Sequence, residues 1–197
     1  MSIMGNTGKR RAIVGISGAS GAILGIETLR GFRESGQFET HLVITNGGER
    51  TIAEETAYSL SEVCDLADVC HSVRDIGASI ASGSFRTDGM VIVPCTMKTL
   101  AGIACGYSDN LLLRAADVIL KERRKLVLVP RETPLSLIHL HNMVTLSQMG
   151  AVMLPPMMSF YHCPHNIEEL VQHFVGKILD QFGVEHTGFR RWKGSGE

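Results

Sequence analysis

The sequence predicts an α/β protein built as a three-layer αβα sandwich around a parallel sheet. Its strongest strand candidates are continuous apolar runs, at 11–16, 88–93 and 125–129, which are typical of parallel strands covered on both faces. Segments with apolar residues at helical spacing separate these runs, and this alternation indicates helices on both sides of one sheet. The 197-residue chain has no compositional break and no internal repeat, so we expect a single domain.

The bulk composition argues against several classes of partner. The formal net charge is −1 and the sequence pI is about 6.7, so the chain lacks the excess of basic residues that is typical of proteins that bind nucleic acid or an anionic membrane. No apolar run approaches the roughly 18 residues that span a bilayer, and residues 1–11 lack a signal-peptide apolar region, so we expect a cytoplasmic protein. Five cysteines without a C-x-x-C pair predict reduced thiols rather than a disulfide framework.

A glycine-rich turn, GISGASGA at 15–22, follows the first strand and opens a helix that extends to about residue 35. Glycines let the backbone approach a ligand closely, and a helix N-terminus favours an anion. The spacing is G-x-x-G-x-x-G, and the second strand, 40–44, ends in Thr45 and Asn46 rather than in the acidic residue of a dinucleotide site. We therefore predict a phosphate site for a mononucleotide; the alternative is a tight turn without a ligand.

The other elements follow from periodicity and from turn residues. Ser61 is the candidate N-cap of a short helix in the least regular part of the chain. Pro94 cannot donate to a ladder and ends the strand before it, and Thr96 or Thr99 can supply a hydroxyl at the next helix start. Asp109 is the candidate N-cap of the helix after that. The remaining predictions are helix 48–57, loop 82–84, a helix that ends at about residue 105, helix 111–123, loop 130–134, helix 135–149, strand 151–154 and helix 167–182.

Polar strand ends are predicted to meet at one edge of the sheet, at 17–21, 45–46, 94–99 and 130–134. Ligands of such sheets bind outside the carboxyl ends of the strands. The hydroxyl groups at this edge belong to Ser20, Thr45, Thr96 and Thr99. Arg131 can grip a phosphate with two hydrogen bonds, and Glu132 beside it can exchange a proton if the site is partly apolar. The alternative for this last pair is a solvated loop.

Two further groups of residues suit a second ligand. Arg114 and Lys121 lie seven residues apart and share a helix face, which suits a phosphate; the alternative is an exposed face paired through Asp117. Before the last helix, Phe160 and Tyr161 can wall a small apolar substrate. The cysteine and the histidines beside them do not make a complete ligand set, so no metal site is predicted.

The chain resembles the UbiX/Pad family of flavin prenyltransferases from about residue 11 to residue 192. The resemblance rests on separated blocks: GISGASGA at 15–22, SGSF at 82–85, PCTMKTL at 94–100, RAADV at 114–118, LKER at 120–123, LVLVPRETP at 126–134 and FYH at 160–162. It implies a flavodoxin-like or Rossmann-like sheet and a homododecamer. It also implies that dimethylallyl monophosphate alkylates reduced FMN without a metal. The product, prenylated FMN, would serve a UbiD-type decarboxylase.

The resemblance also implies roles for individual residues. The implied flavin contacts are Gly18, Ala19, Ser20, Thr45, Thr96, Met97, Thr99 and Arg131. The implied prenyl-phosphate contacts are Tyr161, Lys177 and Arg191, with Arg114 and Lys121 supplied partly by a neighbouring subunit. The implied catalytic residues are Ser20, Glu55, Lys121 and Glu132.

This interpretation divides the chain into a disordered lead-in at 1–10, a flavoprotein domain at 11–185 and a tail at 186–197 that closes over the site. One alternative is a flavin-dependent cysteine decarboxylase, but such enzymes use a histidine after the second strand, and 45–58 contains none. A second alternative is a non-catalytic FMN carrier for a decarboxylase, which would not need Lys177. A third is direct decarboxylation of an aromatic acid, for which the sequence offers no separate pocket.

Overall fold

One sheet of parallel strands runs through the protein. The computed structural model describes residues 8–192 and residue 194. The strands are β1 (Arg10–Ile16), β2 (Phe38–Ile44), β3 (Val69–His71), β4 (Gly89–Cys95), β5 (Lys125–Pro130) and β6 (Val152–Met153). Their order in the sheet is β3-β2-β1-β4-β5-β6, and every pairing is parallel. The chain therefore reverses its direction of travel across the sheet between β1 and β4, where ligands of such folds bind.

Helices cover both faces of this sheet. They are α1 (Ala22–Ser35), α2 (Asn46–Glu55), α3 (Leu60–Cys64), α4 (Met97–Ala104), α5 (Leu111–Lys121), α6 (Leu137–Gln148) and α7 (Ile167–Asp180), with a 3-10 turn at Ser79–Ala81. One core lies between the sheet and α1, α2, α3 and α7, and a second core lies between the sheet and α4, α5 and α6. The predicted three-layer sandwich is confirmed. Within the described residues, none of the helices combines the length and the apolar character needed to cross a bilayer.

The apolar strands of the sequence are explained by these two cores. Successive side chains of a strand point to opposite faces. In β1, Val14 packs into the core of α1 and α7, whereas Ile13 packs into the core of α4 and α5. Both are essentially inaccessible to solvent, at 0% and 1% exposure. Because both faces are covered, the buried part of the strand, at 12–16, has no position for a polar side chain, and the two arginines of β1 lie at its more exposed start.

Local capping corrects two predicted helix starts. Ser59, not Ser61, caps α3: its hydroxyl accepts from the Glu62 amide, and the Glu62 carboxylate accepts from the Ser59 amide and hydroxyl. Asn110, not Asp109, caps α5, because the Asn110 side chain accepts from the Leu113 amide at 3.0 Å. In each case a neighbouring residue of similar capping propensity has the geometry that the cap requires.

Pro94 does not end β4, as was predicted, because the strand continues to Cys95. The register shifts between Ile92 and Cys95, which is the kind of irregularity at which a strand tolerates proline. The carbonyl of Pro94 accepts hydrogen bonds from the amide of Ser17 at 3.2 Å and from its hydroxyl at 2.9 Å. The Ser17 hydroxyl in turn accepts from the Thr96 amide at 2.8 Å. Ser17 therefore joins the end of β1 to the end of β4.

The prediction of five reduced thiols is wrong for Cys64 and Cys70, which form a disulfide. The end of α3 and the strand β3 bring their Cα atoms to 5.4 Å, a separation that suits a disulfide. Cys95 is buried, and Cys105 and Cys163 are exposed; all three are free thiols. Residues 1–7 of the predicted lead-in, and Lys193 and residues 195–197 of the predicted tail, lie outside the described residues.

We predict that Ser17→Ala lowers the free energy of unfolding by about 1–3 kcal/mol, because the Thr96 amide loses its acceptor in a buried region. Urea denaturation followed by circular dichroism measures this loss. Thr28→Val is the matched control: Thr28 is also buried, but its hydroxyl bonds only to the Leu24 carbonyl within its own helix. Equal effects of the two substitutions would contradict a specific role for the link between β1 and β4.

Candidate functional site

A cavity of about 490 Å³ opens at the carboxyl ends of β1, β2 and β4. It is lined by Gly18, Thr45, Asn46, Gly47, Val73, Arg74, Thr96, Lys98, Thr99, Asp109, Asn110 and Leu113. The strand ends that were predicted to meet therefore do meet, with the exception of the loop at 130–134. Sequence analysis missed Arg74, which belongs to no motif, and assigned no role to Lys98, although Lys98 lies in the strand end at 94–99 that was predicted to meet the others.

The cavity is electropositive for structural reasons. Thr45 caps α2 by accepting from the Gly48 amide at 3.1 Å, and Thr96 caps α4 by accepting from the Thr99 amide at 3.1 Å. Two helix N-termini thus point their remaining amides and their positive dipole ends towards the same space. Gly18 permits this arrangement, since a Cβ there would lie 2.8 Å from the backbone of Gly47. Of the other expected flavin contacts, Ala19 and Met97 are buried and are not among the residues that line this cavity.

The N-terminus of α1, where a phosphate site was expected, is arranged differently from the starts of α2 and α4. The Glu55 carboxylate accepts from the amides of Gly21 at 2.8 Å and Ala22 at 3.2 Å. Gly21 adopts a φ of 103°, which aims its amide into this corner. The anion at this helix N-terminus is a side chain of the same protein, whereas the N-termini of α2, α4 and α5 line the cavity.

Glu55 is ionised in this setting. Burial opposes its ionisation, but the hydroxyl of Ser20, the amides of Gly21 and Ala22 and the charge of Arg131 together hold the pKa of Glu55 below its ordinary value. This links the predicted catalytic pair, Ser20 and Glu55, to the Arg131 loop. Cys95, which lies next to Thr96, is not a candidate nucleophile, because burial raises the pKa of its thiol to about 12.

The loop at 130–134 lies beside a smaller cavity of about 230 Å³, which it shares with Pro155, Pro156 and Met157. The Arg131 amide donates to the Cys95 carbonyl at 3.1 Å, which anchors this loop to the end of β4. Glu132 is exposed, and its carboxylate accepts from the Thr133 amide at 3.0 Å. The described residues therefore do not give Glu132 the partly apolar surroundings that sequence analysis expected.

A second group of candidate residues surrounds α7. The hydroxyl of Tyr161 contacts His173 of α7, and the ammonium of Lys177 lies 5.7 Å from the centre of the Phe189 ring. Arg191 forms ion pairs with Asp180 and Glu185, so its charge is already compensated. Phe160 is 69% exposed. His173 was not found from the sequence, because a lone histidine at a buried helix position carries no motif.

The two cations of α5 lie apart from this group. Arg114 donates to the Ala81 carbonyl at 3.2 Å and pairs with Asp117 at 2.8 Å. Lys121 pairs with Glu122 at 2.5 Å. The paired, partly exposed face that sequence analysis kept as the alternative is therefore present in the protomer. No group of three or more metal-binding side chains occurs in the described part of the chain.

The fold and the strand-end cavity define a flavoprotein. The sequence model of the Flavoprotein family matches residues 2–179, and the chain belongs to that family. A relative from Escherichia coli O157:H7, described as a probable UbiX-like flavin prenyltransferase, is 56% identical over 184 residues, which cover 93% of each chain. The chain is thus a member of the UbiX flavin prenyltransferases, and the resemblance seen in the sequence is confirmed.

Two solved structures agree with this assignment. A dodecameric FMN-dependent UbiX-like decarboxylase from Escherichia coli O157:H7 superposes with a TM-score of 0.92 at 56% identity, covering 93% of this chain and 100% of the other. AnUbiX (PadA1) in complex with FMN and dimethylallyl pyrophosphate superposes with a TM-score of 0.93 at 50% identity, covering 95% and 99%. The predicted fold class is confirmed, because these superpositions cover 93% and 95% of this chain.

We predict that Glu55→Gln lowers the stability at pH 7 by roughly 0.3–1 kcal/mol, because a carboxylate is lost from a helix N-terminus. The pKa of Glu55 lies below its ordinary value in the folded state, so its contribution is present above about pH 4.5 and is lost as the pH falls through the folded pKa. Thermal unfolding of both proteins between pH 3 and pH 7 should show the difference shrinking in acid. Glu54→Gln, which affects an exposed pair with Arg50, is the control and should change little at any pH.

Proposed function

We propose that this protein transfers the dimethylallyl group of dimethylallyl monophosphate to reduced FMN, and that the prenylated FMN is passed to a UbiD-type decarboxylase. One observation carries the proposal. The chain presents two separate groups of residues suited to anions, one around the strand-end cavity and one around Tyr161 and Lys177. A reaction that joins two phosphorylated molecules needs both groups, whereas binding of FMN alone needs only one.

The strand-end cavity suits FMN. Its volume falls within the roughly 300–1,000 Å³ that is usual for small-molecule pockets. The capped N-termini of α2 and α4, with Lys98 and Arg74, supply amides and positive charge for a phosphate. Thr99 adds a hydroxyl, and the contact between Gly18 and Gly47 brings bare backbone to the ligand. Bound reduced FMN supplies the electron-rich ring that accepts the allylic carbon.

The group around Tyr161 and Lys177 suits the leaving phosphate. Cleavage of the allylic C–O bond places new negative charge on that phosphate, and preorganised donors stabilise such charge best. Within the described residues Lys177 forms no ion pair, and its ammonium rests near the Phe189 ring, so its charge is available to a ligand. We assign Arg191 the same role, with Asp180 and Glu185 holding its guanidinium in place.

Two carboxylates are assigned to the reaction itself. At the start of α1 the Ser20 hydroxyl donates to the ionised carboxylate of Glu55, and Arg131 adds a positive charge beside them. We place this pair at the flavin edge, where it orients the acceptor. Ring closure releases a proton, and Glu132 relays that proton to the departing phosphate.

We infer that the reaction takes place in a homododecamer. Arg114 and Lys121 contact α5 and the loop beside it rather than Tyr161 or Lys177, so a neighbouring subunit has to supply them to the phosphate. The α6 helix supports assembly, because its Leu137 and Ile138 are 67% and 70% exposed. Such a run of apolar side chains is typical of an interface.

Two alternatives predict different chemistry. A cysteine decarboxylase of the same fold would need a histidine after β2, and 45–58 contains none. An FMN carrier would bind FMN and return it unmodified. The available charge of Lys177 favours the transferase over the carrier, since a carrier has no second phosphate to bind.

We predict that the purified protein, mixed under anaerobic conditions with FMN, dithionite and dimethylallyl monophosphate, yields a flavin heavier by one C5 prenyl unit. Mass spectrometry of the extracted flavin measures this product, and activation of a UbiD-type apo-decarboxylase tests its use. Unmodified FMN, recovered after binding is verified and after dimethylallyl pyrophosphate is also tried, would instead support the carrier.

We predict that Lys177→Ala raises the KM for dimethylallyl monophosphate by roughly tenfold or more while the FMN dissociation constant stays within twofold, because a charge-assisted hydrogen bond contributes about 1.5–3 kcal/mol. Steady-state kinetics and flavin fluorescence measure the two quantities. Lys9→Ala is the control, since this exposed lysine precedes β1 at the opposite end of the sheet. A parallel loss of both ligands would indicate a structural role for Lys177.

A further inference from the structure

The hydroxyl of Tyr161 lies between two hydrogen-bonding partners. Its oxygen is 3.0 Å from the carbonyl oxygen of Arg190 and 3.2 Å from Nε2 of His173. A carbonyl oxygen can only accept, and a hydroxyl carries one proton, so Tyr161 donates that proton to Arg190. The remaining contact is then satisfied only if His173 donates from Nε2. The network thus assigns the tautomer of His173, with its proton on Nε2.

The other side of the His173 ring agrees with this tautomer. Nδ1 is buried and has no hydrogen-bond partner within the described part of the chain. A proton on Nδ1 would be a buried donor without an acceptor, which costs free energy. Burial, followed by the charges of His162 and Lys177, also lowers the pKa of His173, so the ring is neutral near pH 7.

Packing holds the His173 ring in one orientation. The residue is only 5% exposed. The His162 ring stacks on it with a centroid distance of 4.1 Å and an interplanar angle of 10°, and Phe189 lies against it at 5.1 Å. Tyr161, by contrast, is 45% exposed and meets His173 and Trp192 only edge-on. Packing therefore fixes the orientation of His173, whereas Tyr161 needs a further contact to hold its side chain in place.

We propose that His173 is a positioning residue for Tyr161: its Nε2–H holds the phenol oxygen, so that the single phenol proton can turn from the Arg190 carbonyl to the phosphate of the substrate. This inference rests on the proposed function. In this exchange the phenol breaks its hydrogen bond to the Arg190 carbonyl and forms one to the phosphate. Every proton stays on the atom that carries it. A hydroxyl that accepts a hydrogen bond is polarised and donates more strongly. His173 thus increases the affinity for a phosphate that it does not touch.

The test uses the FMN-loaded protein with the flavin oxidised, which allows dimethylallyl monophosphate to bind without turnover. Isothermal titration calorimetry compares wild type, His173→Phe and His173→Gln, each with Tyr161 and with Tyr161→Phe. We expect His173→Phe to weaken binding of dimethylallyl monophosphate about 3- to 10-fold, the effect of one neutral hydrogen bond, while the FMN affinity stays unchanged. His173→Gln, which keeps a side-chain donor, should recover most of the loss. In the Tyr161→Phe background, His173→Phe should have no further effect.

The control is Phe174→Leu, which alters packing at the neighbouring buried position of α7. It should leave the binding of both ligands unchanged. The inference is overturned if His173→Phe weakens FMN and dimethylallyl monophosphate equally, if it costs as much with Tyr161→Phe, or if glutamine recovers nothing. His173→Met replaces the Phe variant if that variant does not fold.

The same measurements separate this inference from the proposed function. Wild type that binds dimethylallyl monophosphate but does not prenylate reduced FMN would contradict the transferase and leave the role of His173 standing. Wild type that does not bind dimethylallyl monophosphate at all would overturn both. Normal turnover with an unaffected His173→Phe variant would overturn the role of His173 alone.

Discussion

The pairing of β1 with both β2 and β4 is the constraint on which the site depends. Because β1 is central, the chain leaves it towards one edge of the sheet and later returns to the other, so the loops after β1 and β4 diverge and leave a crevice. Ser17 holds the two strand ends together at the base of this crevice. The capped starts of α2 and α4 then face the same space, and the cavity acquires its positive potential without a dedicated cluster of basic residues.

The starts of α1, α2 and α4, which lie at this edge of the sheet, differ in the group that occupies them. Glu55 occupies the start of α1, where it neutralises the dipole and holds Ser20 and Arg131 around one ionised carboxylate. The starts of α2 and α4 are capped only by neutral threonine hydroxyls, so they keep their positive ends for an anion. This division separates the start of α1, which carries a fixed negative charge, from the starts of α2 and α4, whose positive ends face the cavity.

The chain that follows α7 gives the second group of residues its geometry. After α7 ends, residues 184–192 return along the helix, and Phe189 packs against the backbone of Gly176. This return brings the Arg190 carbonyl to the Tyr161 hydroxyl and Arg191 to Asp180. Buried stacking of His162 on His173 supplies the rigid partner for an exposed tyrosine. Residues 184–192 thus complete a network of contacts whose rigid residues belong to α7 and to the segment before it.

The sequence by itself determined the features that depend on neighbours in the chain. The apolar strands, the glycine turn and a threonine cap, at Thr96 or Thr99, were predicted because periodicity, backbone freedom and capping act over a few residues. Helix starts at Ser59 and Asn110 were missed by one or two residues, since adjacent residues compete for the same cap. The tertiary structure alone decided that Glu55 caps α1 across 34 residues and that His173 meets Tyr161 across 12. These contacts depend on how helices pack on the sheet, and no local pattern in the sequence encodes that packing.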